Sequence, residues 1–182
     1  IGCGTRFGDV YGGCNMANIN GNVTLTIKGG EMNNVYGGSK GSNTTAANIT
    51  GNVTLNIYGG NINHDAFGGS NINGNITGNI IVNMDWSQAS ESCNSESDLH
   101  VRNVFGASNL AAYTPTNASG NYPQVNIKHG TVSGSVFGAG NGDPNDPAKG
   151  IVTSNPVVTI GDAVAGHYVV VAENVYGGGN NA

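Results

Sequence analysis

Asp9 and Asp65 are the first residues here whose type and placement invite a reaction, because each opens a copy of one motif: Asp9-Val-Tyr-Gly-Gly and Asp65-Ala-Phe-Gly-Gly. Two carboxylates flanking a glycosidic bond are the equipment of a glycoside hydrolase, about 6.5–9.5 Å apart in inverting enzymes. Another copy of the motif lies between them and carries Asn34 at the matching place. Strands stacked at about 4.8 Å would therefore hold the two carboxylates roughly 9–10 Å apart. No Lys or Arg stands in the motif beside them, and Asn103 and Asn174 fill the same place in later copies. A solvated column of Asp and Asn is the expectation, and no catalytic residue is assigned.

Metal chemistry has two candidate sources. The histidines, His64, His100, His129 and His167, hold no ligand spacing within one motif, and His129 takes the place that Gly29 and Gly59 hold in other copies. They read as surface or loop residues. The segment Asn141-Gly-Asp-Pro-Asn-Asp146 gathers oxygen donors in one turn, with Asp143, Asn145 and Asp146 as candidate calcium ligands. It matches neither the EF-hand loop nor the Gly-Gly-x-Gly-x-Asp repeat, so a plain proline-containing turn is the competing reading. Apart from that candidate Ca²⁺, no cofactor is implied. Cys3, Cys14 and Cys93 lack metal-type spacing and cannot all pair; Cys3 with Cys14, or free thiols, both remain open.

A binding surface is the third candidate. Tyr11, Tyr36, Phe67, Phe105, Phe137 and Tyr176 recur at intervals of 25 to 39 residues, each in a motif of the form Asn-Val-Tyr-Gly-Gly. Facing outward, they would form a stripe on which sugar rings could stack, making the chain a carbohydrate-binding module for host or environmental glycans. Facing inward, they would be a core stack. Strict alternation favours the first arrangement, and Phe in half of the copies favours the second.

The elements that position these residues are legible in a second motif. Asn22-Val-Thr-Leu-Thr-Ile27, Asn52-Val-Thr-Leu-Asn-Ile57, Asn79-Ile-Ile-Val-Asn-Met84, Tyr122-Pro-Gln-Val-Asn-Ile127 and Asn155-Pro-Val-Val-Thr-Ile160 carry inward apolar residues beside a polar column of Thr26, Asn56, Asn83, Asn126 and Thr159. Such alternation is the period of a half-buried strand. Pro123 and Pro156 delay or interrupt the first strand in the copies that carry them, because proline cannot donate a ladder hydrogen bond. Glycine supplies 31 of the 182 residues and asparagine nearly as many, which disfavours helix throughout. Self-similarity at this spacing, with Gly29-Gly30 and Gly59-Gly60 as corners, predicts an all-β fold: a right-handed parallel β-helix, or β-solenoid, of about five or six irregular coils. Inserts at residues 85–100, 111–123, 141–156 and 161–173 would project as loops. The chain reads as one domain over residues 1–182, and as a piece of a longer repeat protein, since it opens on Ile1 and restates its motif near the end.

On these motifs the chain resembles the glycine-rich, adhesin-like cell-surface repeat proteins of bacteria that iterate "GNVTxxI" and "NVYGGGN". That resemblance implies secretion and a β-solenoid, and implies little about ligand. Charged residues are only 9% of the chain, and its six Lys and Arg are scattered, which argues against nucleic acid as a partner. No apolar run reaches the length of a membrane span. The expectation is an extracellular or cell-surface structural and adhesive region, not an enzyme, whose partners are glycans or neighbouring repeats. The alternative is a carbohydrate-binding module that uses the aromatic ladder or the inserted loops. A polysaccharide lyase or hydrolase ranks below both, as does an ice-binding protein, because the Thr24-x-Thr26 row fails in later copies.

Overall fold

The computed structural model describes residues 1–89 and 99–181. Its strands are β1 (Val10–Tyr11), β2 (Val23–Met32), β3 (Val35–Tyr36), β4 (Val53–Phe67), β5 (Asn75–Ile76), β6 (Ile80–Asp85), β7 (His100–Phe105), β8 (Ala112–Tyr113), β9 (Gln124–Val132), β10 (Val136–Phe137), β11 (Val157–Ile160), β12 (Val169–Val171) and β13 (Val175–Tyr176). A single 3₁₀ turn, Trp86–Gln88, is the helical element among the described residues. None of the helical structure is long and apolar enough to cross a membrane. The all-β expectation holds.

The right-handed β-helix of five or six coils does not. β4 pairs with β6 along Val53–Ile57 and with β7 along Asn61–Phe67. β9 also pairs with both β6 and β7. The hydrogen bonding therefore runs β4–β6–β9–β7–β4 and closes on itself as a four-stranded parallel barrel. The other strands attach outside it: β2 and β3 on β4, β1 on β3, β11 and β12 on β9, and β10 and then β13 on β7. β5 and β8 form a separate pair.

The physical reason lies in the glycine pairs. Gly30 and Gly60 take left-handed backbone angles (φ 90° and 89°) as corner glycines do. The chain nevertheless continues through them as extended strand, so β4 runs unbroken for 15 residues. The bend appears as a register shift between Ile27 and Glu31 where β2 meets β4. A long strand passing through a bend offers the two halves of one edge to two different neighbours, and two long strands bridged by two short ones close a ring.

Within this arrangement the motif copies are in register. Val23, Val53 and Ile80 are successive partners, as are Leu25, Leu55, Val82 and Val125. Leu55, Ile57, Val82, Met84, Val125 and Ile127 are fully buried, each worth roughly 1.5–3 kcal/mol relative to exposure. Strands β9 and β11 begin at the residue after Pro123 and Pro156 respectively, as expected of a residue without a backbone N–H. The insert at 85–100 lies mostly outside the described residues.

Candidate functional site

The outward columns engage their own counterparts. Asn126 donates to Asn83 (3.1 Å), Asn83 to Asn56 (2.9 Å) and Asn56 to the Thr26 hydroxyl (3.3 Å). A buried serine column beside the glycines does the same: the Ser39 amide donates to Ser70 Oγ, and the Ser70 amide to Ser108 Oγ, each at 3.0 Å.

The aromatic column is one continuous stack. Ring centroids from Tyr11 through Tyr36, Phe67, Phe105 and Phe137 to Tyr176 are 4.6–5.1 Å apart, with planes tilted by no more than 11°. Tyr36, Phe67 and Phe105 are buried, Tyr11 and Phe137 half-buried, and Tyr176 is 44% exposed. The faces of the four inner rings are covered by their neighbours, so a sugar meets edges there. Burial also pushes the Tyr36 phenol far above its ordinary range.

Asp9 and Asp65 stand in the column expected of them. The Asn34 amide donates to Asp9 (2.9 Å), and Asn34 Oδ1 accepts from the Asp65 backbone (3.2 Å). Asp65 additionally accepts from Asn103 (2.8 Å) and from both Nε and Nη2 of Arg102 (3.1 and 2.9 Å). The motif gave no sign of that cation. Arg102 reaches Asp65 because β7 lies beside the second half of β4.

Asp143, Asn145 and Asp146 lie together in a turn. Asp143 Oδ1 accepts from the Asn145 backbone (2.9 Å) and Asp146 Oδ1 from the Ala148 backbone (3.0 Å). Both are side-chain-to-backbone bonds of an ordinary Asx turn. Cys3 is disulfide-bonded and Cys14 is a free thiol, so the two are not joined to each other.

The cluster of potential ligands that does assemble was not read from the sequence. Asp85, His129 and His167 bring one ligand atom each to within 4.8 Å of one another. Asp85 ends β6 and caps the 3₁₀ turn, accepting from the Ser87 backbone (3.0 Å) and hydroxyl (2.6 Å). A register shift after Met84 sets Asp85 opposite His129 on β9, one residue beyond the simple continuation to Lys128. His167 arrives from the 161–173 insert, because β12 pairs with β9 from Val169↔Gly130 onward. Its ring stacks on His129 (4.9 Å, 24°), and the Tyr168 ring meets His129 edge-on (5.1 Å). Asp162, turned by its bond from the Val164 backbone, holds His167 Nδ1 at 3.1 Å from each carboxylate oxygen. That backbone bond, with His167 and Lys128 nearby, holds the Asp162 carboxyl below its ordinary range. Beside Asp85 opens a cleft of about 230 Å³, lined by Tyr58, Asn83, Gln88, Asn126 and Lys128.

No protein-family model, curated protein or solved structure matches this chain.

Proposed function

We propose that this chain is a structural and adhesive, non-catalytic module of a secreted or surface-displayed protein. The observation that carries the reading is the aromatic stack: six rings, the most conspicuous repeated side chains, are spent on one another. The Asn and Ser columns are bonded along the same direction, which suits a scaffold that presents its inserts. The disulfide at Cys3 favours an oxidising compartment, as outside the cell. Asp65, the best-placed carboxylate of the motif column, is already bonded to Arg102 and Asn103.

Beads coated with the chain should retain glycan-bearing surfaces through its inserts, while pectin, alginate and other polysaccharides remain uncut above buffer rates. Reproducible turnover lost in Asp65→Asn would overturn the non-catalytic reading. Antibody staining of producing cells only after permeabilisation would overturn the surface location.

A further inference from the structure

We propose that Asp85, His129 and His167 bind one divalent transition-metal ion of the zinc class, with Asp162 orienting His167. Two imidazoles and one carboxylate are a donor set that suits zinc; calcium and magnesium prefer all-oxygen shells. Zinc bonds to histidine nitrogen and carboxylate oxygen are about 2.0–2.2 Å long, so ligand atoms on one ion lie at most about 4 Å apart. The three atoms here are within 4.8 Å. Closing on an ion thus asks for a movement on the order of 1 Å, which the segment from Gly161 to His167 is placed to supply. Gly161 and Gly166 hold left-handed angles (φ 81° and 87°), and a Cβ on either would meet nothing within 4 Å.

The surroundings fit the same assignment. Metal-bound histidines characteristically give their second ring nitrogen to a carboxylate, which fixes the tautomer and the ring. His167 Nδ1 on Asp162 is that arrangement, leaving Nε2 for the ion. Asp85 and His129 are both buried, so two of the ligands are held by the barrel itself. Asp85 also borders the solvent-facing cleft, which provides an entry path. The three ligands come from the end of β6, the middle of β9 and the insert before β12. An ion there ties an outer strand, whose Val170 is 45% exposed, to the four-stranded barrel.

The test is titration of the metal-free chain with ZnCl₂ by calorimetry, together with Co²⁺ absorption and thermal melting. The expected result is one saturable site, a Co²⁺ visible band of low-symmetry nitrogen–oxygen coordination, and a melting temperature raised by Zn²⁺ but not by Ca²⁺. His167→Gln should weaken Zn²⁺ binding more than 10-fold while its circular dichroism in EDTA matches the parent's. Asp162→Asn leaves all three ligands in place and should weaken binding roughly 10- to 100-fold, as loss of an outer-shell partner does. A His64→Gln/His100→Gln chain should bind like the parent. Absence of saturable binding, or equal affinity in parent, His167→Gln and Asp162→Asn, overturns the assignment.

Discussion

Replacing Phe105 by Ala tests whether the ring stack is a working part of the core. Phe105 is 4% exposed and lies 4.6 Å from the ring of Phe67 on one side and 4.6 Å from Phe137 on the other. Truncation removes the ring from a slot whose walls belong to strands hydrogen-bonded at fixed spacing, so the walls cannot close on the gap. Phe→Ala in a packed core costs about 3–5 kcal/mol, and the upper part of that range applies where collapse is prevented. That cost already includes the two stacked pairs, each worth about 0.5–1.5 kcal/mol beyond area. For a chain of this size 1 kcal/mol is about 2–4 °C, so a loss of about 4–5 kcal/mol should lower the melting temperature by about 8–20 °C. Tyr176→Ala, at the 44% exposed end with a single stacked neighbour, is the internal comparison. It should cost under about 1.5 kcal/mol, little more than the stacked pair itself. Urea unfolding of both variants beside the parent measures the difference. If Phe105→Ala melts with the parent, the stack carries no packing energy and the scaffold reading loses its main support.

Gly68→Ala should destabilise by about 1–3 kcal/mol through overpacking, because a Cβ there meets the Gly106 carbonyl oxygen and the methyls of Val82 and Ile80. Gly177→Ala, with nothing within 4 Å, should stay within about 0.5 kcal/mol of the parent in the same urea assay. Burial pushes the Tyr113 phenol up to about 12, and Tyr36 higher still. The fold therefore favours the neutral phenols: their contribution is complete below about pH 10, the ordinary tyrosine value, and is lost as pH rises through the folded values. Urea midpoints measured from pH 9 to 12 should fall across the upper part of that range, and Tyr113→Phe should shallow the decline.

The strands and their register were legible because period-2 alternation in Val53-Thr-Leu-Asn-Ile57 leaves one way to bury Val53, Leu55 and Ile57 together. Equivalent residues of each copy then become neighbours, which is why the Asn56–Asn83–Asn126 column could be anticipated. The closure of the sheet was not legible. Gly59-Gly60 reads locally as a corner, and whether a strand stops or bends there depends on neighbours along its whole length. The His cluster escaped for a related reason. It depends on a one-residue register shift after Met84 and on where an insert lands, and neither leaves a mark in motif spacing. The signal available was His129 standing where other copies carry glycine.

The asparagine columns also give the molecule an electrical direction. Asn180 donates to Asn141, Asn141 to Asn109, Asn109 to Asn71, and Asn71 to the Tyr11 hydroxyl, every N–H pointing toward the start of the chain. Aligned amide dipoles polarise one another, so the column acts as a wire with unlike poles, in the way a helix does. Asn180 is the first donor of this run, and the Tyr11 hydroxyl its last acceptor. A further asparagine set beside Asn180 in the same orientation continues the column, and one set in reverse puts oxygen against oxygen.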